Sequence, residues 1–132
     1  MSNTMNSTAE FESSLFHPFL PDDYQVNPKR YGAELAFWLS KKLAEAKVFT
    51  SYPNFEDWGW FIEYINESGE EFWLCCANVD GSNTKWMCSL EAKGQGFLGR
   101  KKPPLENAQL LVDAVRAILQ NEPDIKNISW ST

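Results

Sequence analysis

The middle of the chain constrains the fold most, because three apolar segments are separated there by two turns with recognisable chemistry. Residues 66–69 (Asn-Glu-Ser-Gly) fit a type I turn followed by a glycine in the left-handed conformation. Residues 80–83 (Asp-Gly-Ser-Asn) place glycine at the first central position of a turn, as a type II′ hairpin requires. The pattern therefore predicts an antiparallel meander with strands over 58–66, 70–79 and 84–91.

Each turn also predicts a register. The first turn places Tyr64 opposite Phe72, and the second, taken as a two-residue loop, places Ala77 opposite Trp86. In that register both faces of the sheet are apolar, whereas a sheet with one face in water alternates apolar and polar residues. Helices are expected on one face. The other face then needs an N-terminal arm, the second helix or another subunit.

Two amphipathic helices are predicted beside the meander. Asn27 and Pro28 fit an N-cap followed by proline at the first helical position. Apolar residues recur after them at helical spacing, which predicts a helix over about 28–47. The same spacing predicts a second helix over about 105–121, ended by Pro123. The resulting fold class is α+β, with two amphipathic helices packed on an antiparallel β-meander of three or more strands.

The remaining segments are expected to complete a single domain over residues 11–132. Residues 1–10 are polar and are expected to be disordered. Residues 11–27 contain large apolar side chains interrupted by prolines, which favours a short strand or an extended arm that docks on the body. Apolar residues at the C-terminus, within 125–130, predict one more strand.

The compartment expected from the sequence is the cytoplasm. The N-terminus lacks the basic and apolar regions of a signal peptide, and no apolar run approaches the roughly 20 residues of a membrane helix. In a reducing compartment Cys75, Cys76 and Cys88 are expected to be free thiols. The predicted register places Cys75 opposite Cys88, so a disulfide is conceivable under oxidation, but small buried apolar residues fit better. No metal is expected, because zinc sites need paired ligands at turn spacing.

The charge distribution favours one kind of partner. The net charge is −6, and no Lys or Arg occurs between Lys47 and Lys85. The acidic residues of that stretch are Glu56, Asp57, Glu63, Glu67, Glu70, Glu71 and Asp80. An acidic surface disfavours nucleic acid and anionic membranes and favours a basic protein partner. Simple solubility is the commoner reason for an acidic chain.

The densest local cluster is residues 55–61 (Phe-Glu-Asp-Trp-Gly-Trp-Phe), at the start of the first predicted strand of the meander. Acid–base catalysis needs two carboxylates in different environments across a substrate, and the neighbours Glu56 and Asp57 rarely provide that. A turn, a solvated acidic edge or a partner contact fits them better. Trp58 and Trp60 are expected on one face of the strand, as core if that face is covered and as interface anchors if it is open.

A basic segment follows the meander. Residues 92–104 combine three glycines with Arg100, Lys101 and Lys102, which predicts a mobile loop that presents these three cations. Residues 94–99 match the letters of the dinucleotide fingerprint G-x-G-x-x-G. That chemistry needs a helix starting at the glycines inside a βαβ unit, whereas basic residues and two prolines follow here. No cofactor is therefore expected.

The chain resembles small bacterial proteins of unknown function that have a helix–meander–helix layout. The resemblance depends on Asn27-Pro28 followed by Tyr31-Gly32, on residues 35–39 (Leu-Ala-Phe-Trp-Leu) and on residues 56–60 (Glu-Asp-Trp-Gly-Trp). In style the chain is similar to the immunity proteins of bacterial toxin systems, which are small, acidic, aromatic-rich α+β domains. This second resemblance implies a protein that neutralises a toxin by binding it.

Three functions remain open from the sequence. The first is a non-catalytic protein-binding module, either an immunity-like inhibitor or an adaptor. Its expected partner surface consists of the residues Glu56, Asp57, Trp58, Trp60, Arg100, Lys101 and Lys102. The second is a homodimer similar to small acidic secretion chaperones, although the C-terminal part is shorter than expected of that family. The third is an enzyme that uses Glu56 and Asp57. The cluster contains no nucleophile–base pair, metal-ligand spacing or phosphate loop, which favours the first.

Overall fold

A computed structural model describes residues 5–94 and 101–132. Within these residues, six strands form one antiparallel sheet in the order β2-β3-β4-β5-β1-β6. The strands are β1 (Thr8–Glu12), β2 (Asn54–Glu56), β3 (Gly59–Ile65), β4 (Glu71–Asn78), β5 (Lys85–Ala92) and β6 (Lys126–Ser131). The helices are α1 (Ala33–Glu45) and α2 (Gln109–Asn121), with short 3-10 helices at Asp22–Tyr24 and Leu105–Ala108. The predicted α+β fold is confirmed.

The first turn of the meander has the predicted register. Tyr64 lies opposite Phe72, and the Asn66 N–H donates to the Glu70 carbonyl at 3.0 Å. Gly69 has a φ of 81°, the left-handed conformation that glycine adopts without steric cost. The Asn66 side-chain oxygen also accepts from the Glu70 N–H at 2.9 Å. Local chemistry therefore fixes this turn.

The predicted register of the second turn is wrong by one residue. Trp86 lies opposite Asn78, not Ala77. The Val79 N–H donates to the Lys85 carbonyl at 2.9 Å, so residues 80–84 form a loop longer than the predicted two-residue turn. A hydrogen bond across the loop stabilises this longer form: the Asn78 side-chain amide donates to the Ser82 carbonyl at 2.8 Å.

The one-residue shift changes which face of β5 is buried, since successive side chains of a strand point to opposite faces. Trp86, Cys88 and Leu90 point to the same face as the core residues of β3 and β4, which are Ile62, Tyr64, Phe72, Leu74 and Cys76. Both helices cover this face. The core side chains that they share with the sheet include Phe11, Leu35, Leu39, Leu43, Phe72, Leu74, Leu111, Val115 and Leu119. The Trp86 indole N–H is satisfied by the Ser13 carbonyl at 3.0 Å.

The N-terminal strand corrects the expectation of disorder for residues 8–10, while residues 1–4 lie outside the described residues. β1 lies inside the sheet, paired with β5 on one side and with β6 on the other. Ala9 and Phe11 are buried in the core, while Glu10 is exposed. Pairing partners far along the chain stabilise this short strand, which its own sequence does not predict. The predicted C-terminal strand is confirmed as β6.

The first helix begins later than predicted, at Ala33 and not at residue 28. Gly32 occupies the N-cap, and a Cβ at this glycine would lie 2.5 Å from the Cys76 carbonyl oxygen. The start of α1 therefore packs directly on β4. This close packing requires glycine at position 32, because any side chain there would clash with the Cys76 carbonyl. Asn27, the predicted N-cap, donates its amide N–H to the Asp57 carbonyl instead, at 2.6 Å. The predicted second helix is observed as α2 with a 3-10 turn before it.

All three cysteines are free and buried, as predicted. The predicted Cys75–Cys88 pairing is wrong, because Cys76 lies opposite Cys88. A hydrogen bond with Cys88, together with burial, raises the pKa of Cys76. On the other face of the sheet, burial and then a 3.0 Å hydrogen bond to Glu91 raise the pKa of Cys75. These two thiols remain protonated at neutral pH, which keeps their reactivity low.

Candidate binding surface

The aromatic and acidic cluster forms a tight hairpin at one edge of the sheet. β2 pairs with β3 so that Phe55 faces Trp60 and Glu56 faces Gly59, which leaves residues 57–58 as the turn. The sequence predicted only the second strand of this hairpin. With three residues, β2 is too short for a recognisable period-two pattern.

The prediction that Trp58 and Trp60 share one face of a strand is wrong. The Trp58 ring centroid lies 6.3 Å from that of Phe61, on the sheet face away from the helices. The Trp60 ring lies 5.5 Å from Phe55 and packs on the helix-covered core. The period-two rule fails because Trp58 belongs to the turn and precedes β3.

The sheet face away from the helices is covered in part by its own side chains. Phe61 stacks on Trp73 with ring centroids 3.7 Å apart and an interplanar angle of 9°. The Lys93 ammonium lies 4.0 Å from the centroid of the Trp73 ring, a cation–π contact. Only 3 % of Phe61 is exposed. We call Trp58, Phe61 and Trp73 the aromatic stack. It shields this part of the face without the arm, helix or second subunit expected from the sequence.

An open groove of ≈ 760 Å³ lies at the same end of the sheet, lined by Trp60 among other residues. We call it the aromatic groove and define it by Phe19, Tyr24, Phe37, Phe55 and Trp60. Phe19 and Tyr24 come from the arm before α1, Phe37 from α1 itself and Phe55 from β2. The exposed fractions are 79 % for Phe19, 75 % for Tyr24, 53 % for Phe37 and 55 % for Phe55. Four large rings therefore face solvent around one concavity.

Hydrogen bonds fix the arm that forms one wall of the groove. The Tyr31 hydroxyl donates to the Asp22 carboxylate at 2.7 Å, and this bond is the main cause of a raised Tyr31 pKa. The Asn27 bond to Asp57 ties the far end of the arm to the β2–β3 turn. These two hydrogen bonds hold the arm in place. The exposed rings of Phe19 and Tyr24 bury too little surface to do so by themselves.

One acidic side chain lines the aromatic groove, and others are close in sequence to its lining residues. Glu34 lines it, and its Oε2 accepts from the Phe19 N–H at 3.4 Å. Asp22 and Asp23 share a 3-10 helix with Tyr24. Within residues 5–94 and 101–132, the one ion pair joins Lys42 to Glu45, so none of these groove carboxylates is neutralised by a neighbouring cation.

The predicted acidic pair lies in the β2–β3 hairpin, next to the groove residue Phe55. Glu56 ends β2 directly after Phe55, and Asp57 begins the turn; both are exposed. Neighbours in a hairpin do not face each other across a substrate, as a pair of acid–base carboxylates must. Of the predicted partner residues, Glu56 and Asp57 adjoin the groove, Trp60 lines it, and Trp58 belongs to the aromatic stack.

The structure describes two of the three basic residues that were predicted to contact a partner. Lys101 and Lys102 are exposed and do not line the aromatic groove. Arg100 lies outside the described residues, as does most of the G-x-G-x-x-G segment. Of the described residues, Lys101 and Lys102 are therefore not brought together with the lining of the groove.

A second groove continues the apolar surface along α1. Its volume is ≈ 570 Å³, and Phe37 lines both grooves. The second groove adds Phe49 and Tyr52, which are strongly exposed. Monomeric proteins rarely expose a continuous apolar surface of this kind. Where one occurs, it usually marks an interaction site.

Several groove residues were not predicted from the sequence. Phe37 had a usable signal, since it falls outside the buried stripe of α1 that Leu35, Leu39 and Leu43 form. Phe19 and Tyr24 lie in a segment with several prolines, where no periodicity indicates which side chains face solvent. Only the folded arm shows that they meet Phe37.

Metal binding and the Cys75 thiol are two chemical features that the described residues allow to be assessed. No group of three or more His, Cys, Asp or Glu side chains in the described ranges could hold a metal ion. The Cys75 thiol and the Glu91 carboxylate are in contact, but Cys75 is buried and its raised pKa keeps the sulfur protonated. A nucleophile needs the opposite shift. The groups that the surface presents are exposed aromatic rings and carboxylates.

Comparisons with family models, curated proteins and solved structures found no match to this chain. None of the helices that the structure describes has the length and apolar character needed to cross a membrane. The case for a function therefore depends on the surface alone.

Proposed function

We propose that this protein is a non-catalytic protein-binding module and that the aromatic groove is its docking surface. One observation carries the proposal: four exposed aromatic rings from three separate segments surround a single concavity. Aromatic side chains dominate the energetics of protein interfaces because each ring buries a large area at a low entropy cost. A partner that covers the groove would remove these rings from water.

The acidic rim favours a partner with a basic surface. Charges at the edge of an interface mainly accelerate association, while the rings at its centre mainly slow dissociation. The net charge of −6 acts in the same direction as the local carboxylates of Glu34, Glu56 and Asp57. The same charge opposes the alternative, a chaperone-like homodimer through this groove, because two acidic rims would then face each other.

An immunity-like inhibitor is the most concrete form of the proposal. Small size, acidity and a rigid α+β body with an exposed aromatic surface support stoichiometric binding of a basic toxin. An adaptor would use the same surface. We further propose a cytoplasmic location, which the three free thiols support, because the reducing cytosol maintains that state.

The proposal predicts that Phe55→Ser prevents capture of the partner. Tagged wild-type protein and the variant are incubated with extract of the source cells, and co-purified proteins are identified by mass spectrometry. Loss of a central aromatic anchor costs about 2 kcal/mol or more of binding free energy, so the partner should be strongly depleted. Folding should change little, because Phe55 is 55 % exposed.

Leu110→Ser is the matched control. Leu110 is 63 % exposed and does not line the aromatic groove. Its variant should capture the partner as well as the wild type does. Equal capture by the wild type, Phe55→Ser and a Phe37→Ser variant would show that the groove is not the docking surface.

A further inference from the structure

Among the described residues, Glu34 is the one acidic side chain that lines the aromatic groove. The rest of the lining is mostly apolar and gives no reason for a carboxylate at this position. It lies in the first turn of α1 and is only partly buried. Among the described residues, its one hydrogen bond is the 3.4 Å contact from the Phe19 N–H, which is longer than an ordinary N–H···O bond. Within the described ranges it has no lysine or arginine partner.

This carboxylate restricts what can occupy the groove. A purely apolar side chain would remove water from Glu34 without replacing its hydrogen bonds, and burying an unpaired charge is costly. A cation would replace that water with a charge-assisted hydrogen bond, which is shorter and stronger than a neutral one. The occupant that the groove favours therefore carries a positive charge within an apolar environment.

The aromatic lining favours the same occupant. A cation over an aromatic face is attracted by the negative charge density of the ring, most strongly over tryptophan. Arginine fits better than lysine, because its guanidinium is planar, stacks on rings and is less strongly hydrated. The same contact occurs elsewhere in this chain, where the Arg116 guanidinium lies 4.2 Å from the centroid of the Trp130 ring.

We propose that the aromatic groove binds an arginine side chain of the partner protein. This inference depends on the proposed function and adds the chemistry of the anchor. The guanidinium lies against the rings of Tyr24, Phe37 and Phe55 and donates to the Glu34 carboxylate. The flanking residues of the partner segment are apolar and cover the rest of the groove.

The occupant is a partner chain and not a second copy of this chain. Two copies would bring Asp22, Asp23 and Glu34 of one rim against the same carboxylates of the other. Charge complementarity therefore selects a basic partner segment.

Two synthetic peptides test the anchor directly. Both have the same leucine-rich flanks, and the central residue is arginine in one and citrulline in the other; citrulline has nearly the same shape but no charge. Binding to the full chain is measured by calorimetry and by the NMR shift of the Trp60 indole proton. We expect the arginine peptide to bind about tenfold more tightly than the citrulline peptide.

A charge variant assigns that preference to Glu34. Glu34→Gln should remove most of the difference between the two peptides, whereas Glu67→Gln, at an exposed position in the β3–β4 turn, should preserve it. Both variants make the same change in net charge, so a general electrostatic effect would act on both. Circular dichroism confirms that both variants are folded.

Three results would overturn the inference. They are equal affinity of the two peptides, binding of neither peptide at Trp60, and a dimer in light scattering whose interface protects Trp60. Each is distinguishable from failure of the proposed function. If the peptides bind equally but Phe55→Ser still prevents partner capture, the groove remains a docking surface and only the arginine anchor is wrong.

Discussion

The aromatic stack and the aromatic groove use the same kind of side chain at one end of the sheet, with opposite results. In the stack, Phe61 lies 3.7 Å from Trp73, and Lys93 covers the outer ring. In the groove, Phe19 and Tyr24 are both more than 70 % exposed. The stack satisfies its rings within the chain, and the groove does not. Aromatic content alone therefore does not identify a binding surface; large rings that stay exposed around one concavity do.

The largest expected effect is at the centre of the stack. Phe61→Ala should reduce the free energy of unfolding by about 3–5 kcal/mol, because a buried ring is replaced by a cavity. Denaturant titration measures this loss. Phe55→Ser, in the groove, should change the stability by about 0.5 kcal/mol or less, as exposed sites usually do. Similar losses for the two variants would remove the distinction between the two regions.

Trp58→Ala tests the boundary between the two regions. Trp58 is 38 % exposed and contacts Phe61 at the end of the stack. Partial burial predicts a stability loss of about 1–2 kcal/mol. Affinity for the captured partner should not change, because Trp58 does not line the groove. Reduced affinity at unchanged stability would instead assign Trp58 to the docking surface.

The smallest expected effect concerns pH and the groove wall. Tyr31 donates to Asp22 only while its phenol is protonated, and this bond raises the Tyr31 pKa above 10.0. The stabilisation is therefore complete below pH 10.0 and is lost as the pH rises through the raised folded-state pKa. Unfolding midpoints measured through this range should decrease more for the wild type than for Tyr31→Phe. Burial also raises the pKa of Tyr64, so the difference between the two proteins is the informative quantity. Parallel curves for the two proteins would contradict the assignment to Tyr31.

Local chemistry decides which parts of this fold the sequence predicts. The turn at Asn66 was predicted correctly because its side chain and Gly69 act within a few residues. The turn after Val79 was not, since Asn78 bonds both to Ser82 and to the distant Lys29 carbonyl at 2.9 Å. A contact from another segment thus favours the longer loop, and no local pattern shows it.

The candidate site also has a part that local sequence predicts and a part that depends on distant contacts. Glu56 and Trp60 were visible in one short stretch of sequence, and both lie at or in the groove. Phe19 and Phe37 join them only because the arm folds back over the start of α1, which is fixed by the packing of Gly32 on β4. A surface assembled from three segments has no signature in any one of them.

The position of β1 has a consequence for how the chain folds as it is synthesised. Thr8 pairs with Ser89 and with Ser131, so the first strand made has partners that are made much later. The hairpins of β3, β4 and β5 can form early, because their contacts are local, while contacts that close long loops form slowly. Until β1 takes its place, the edge of β5 has unpaired backbone groups, which invite pairing with other nascent chains. β1 therefore protects β5 from aggregation as well as extending the sheet.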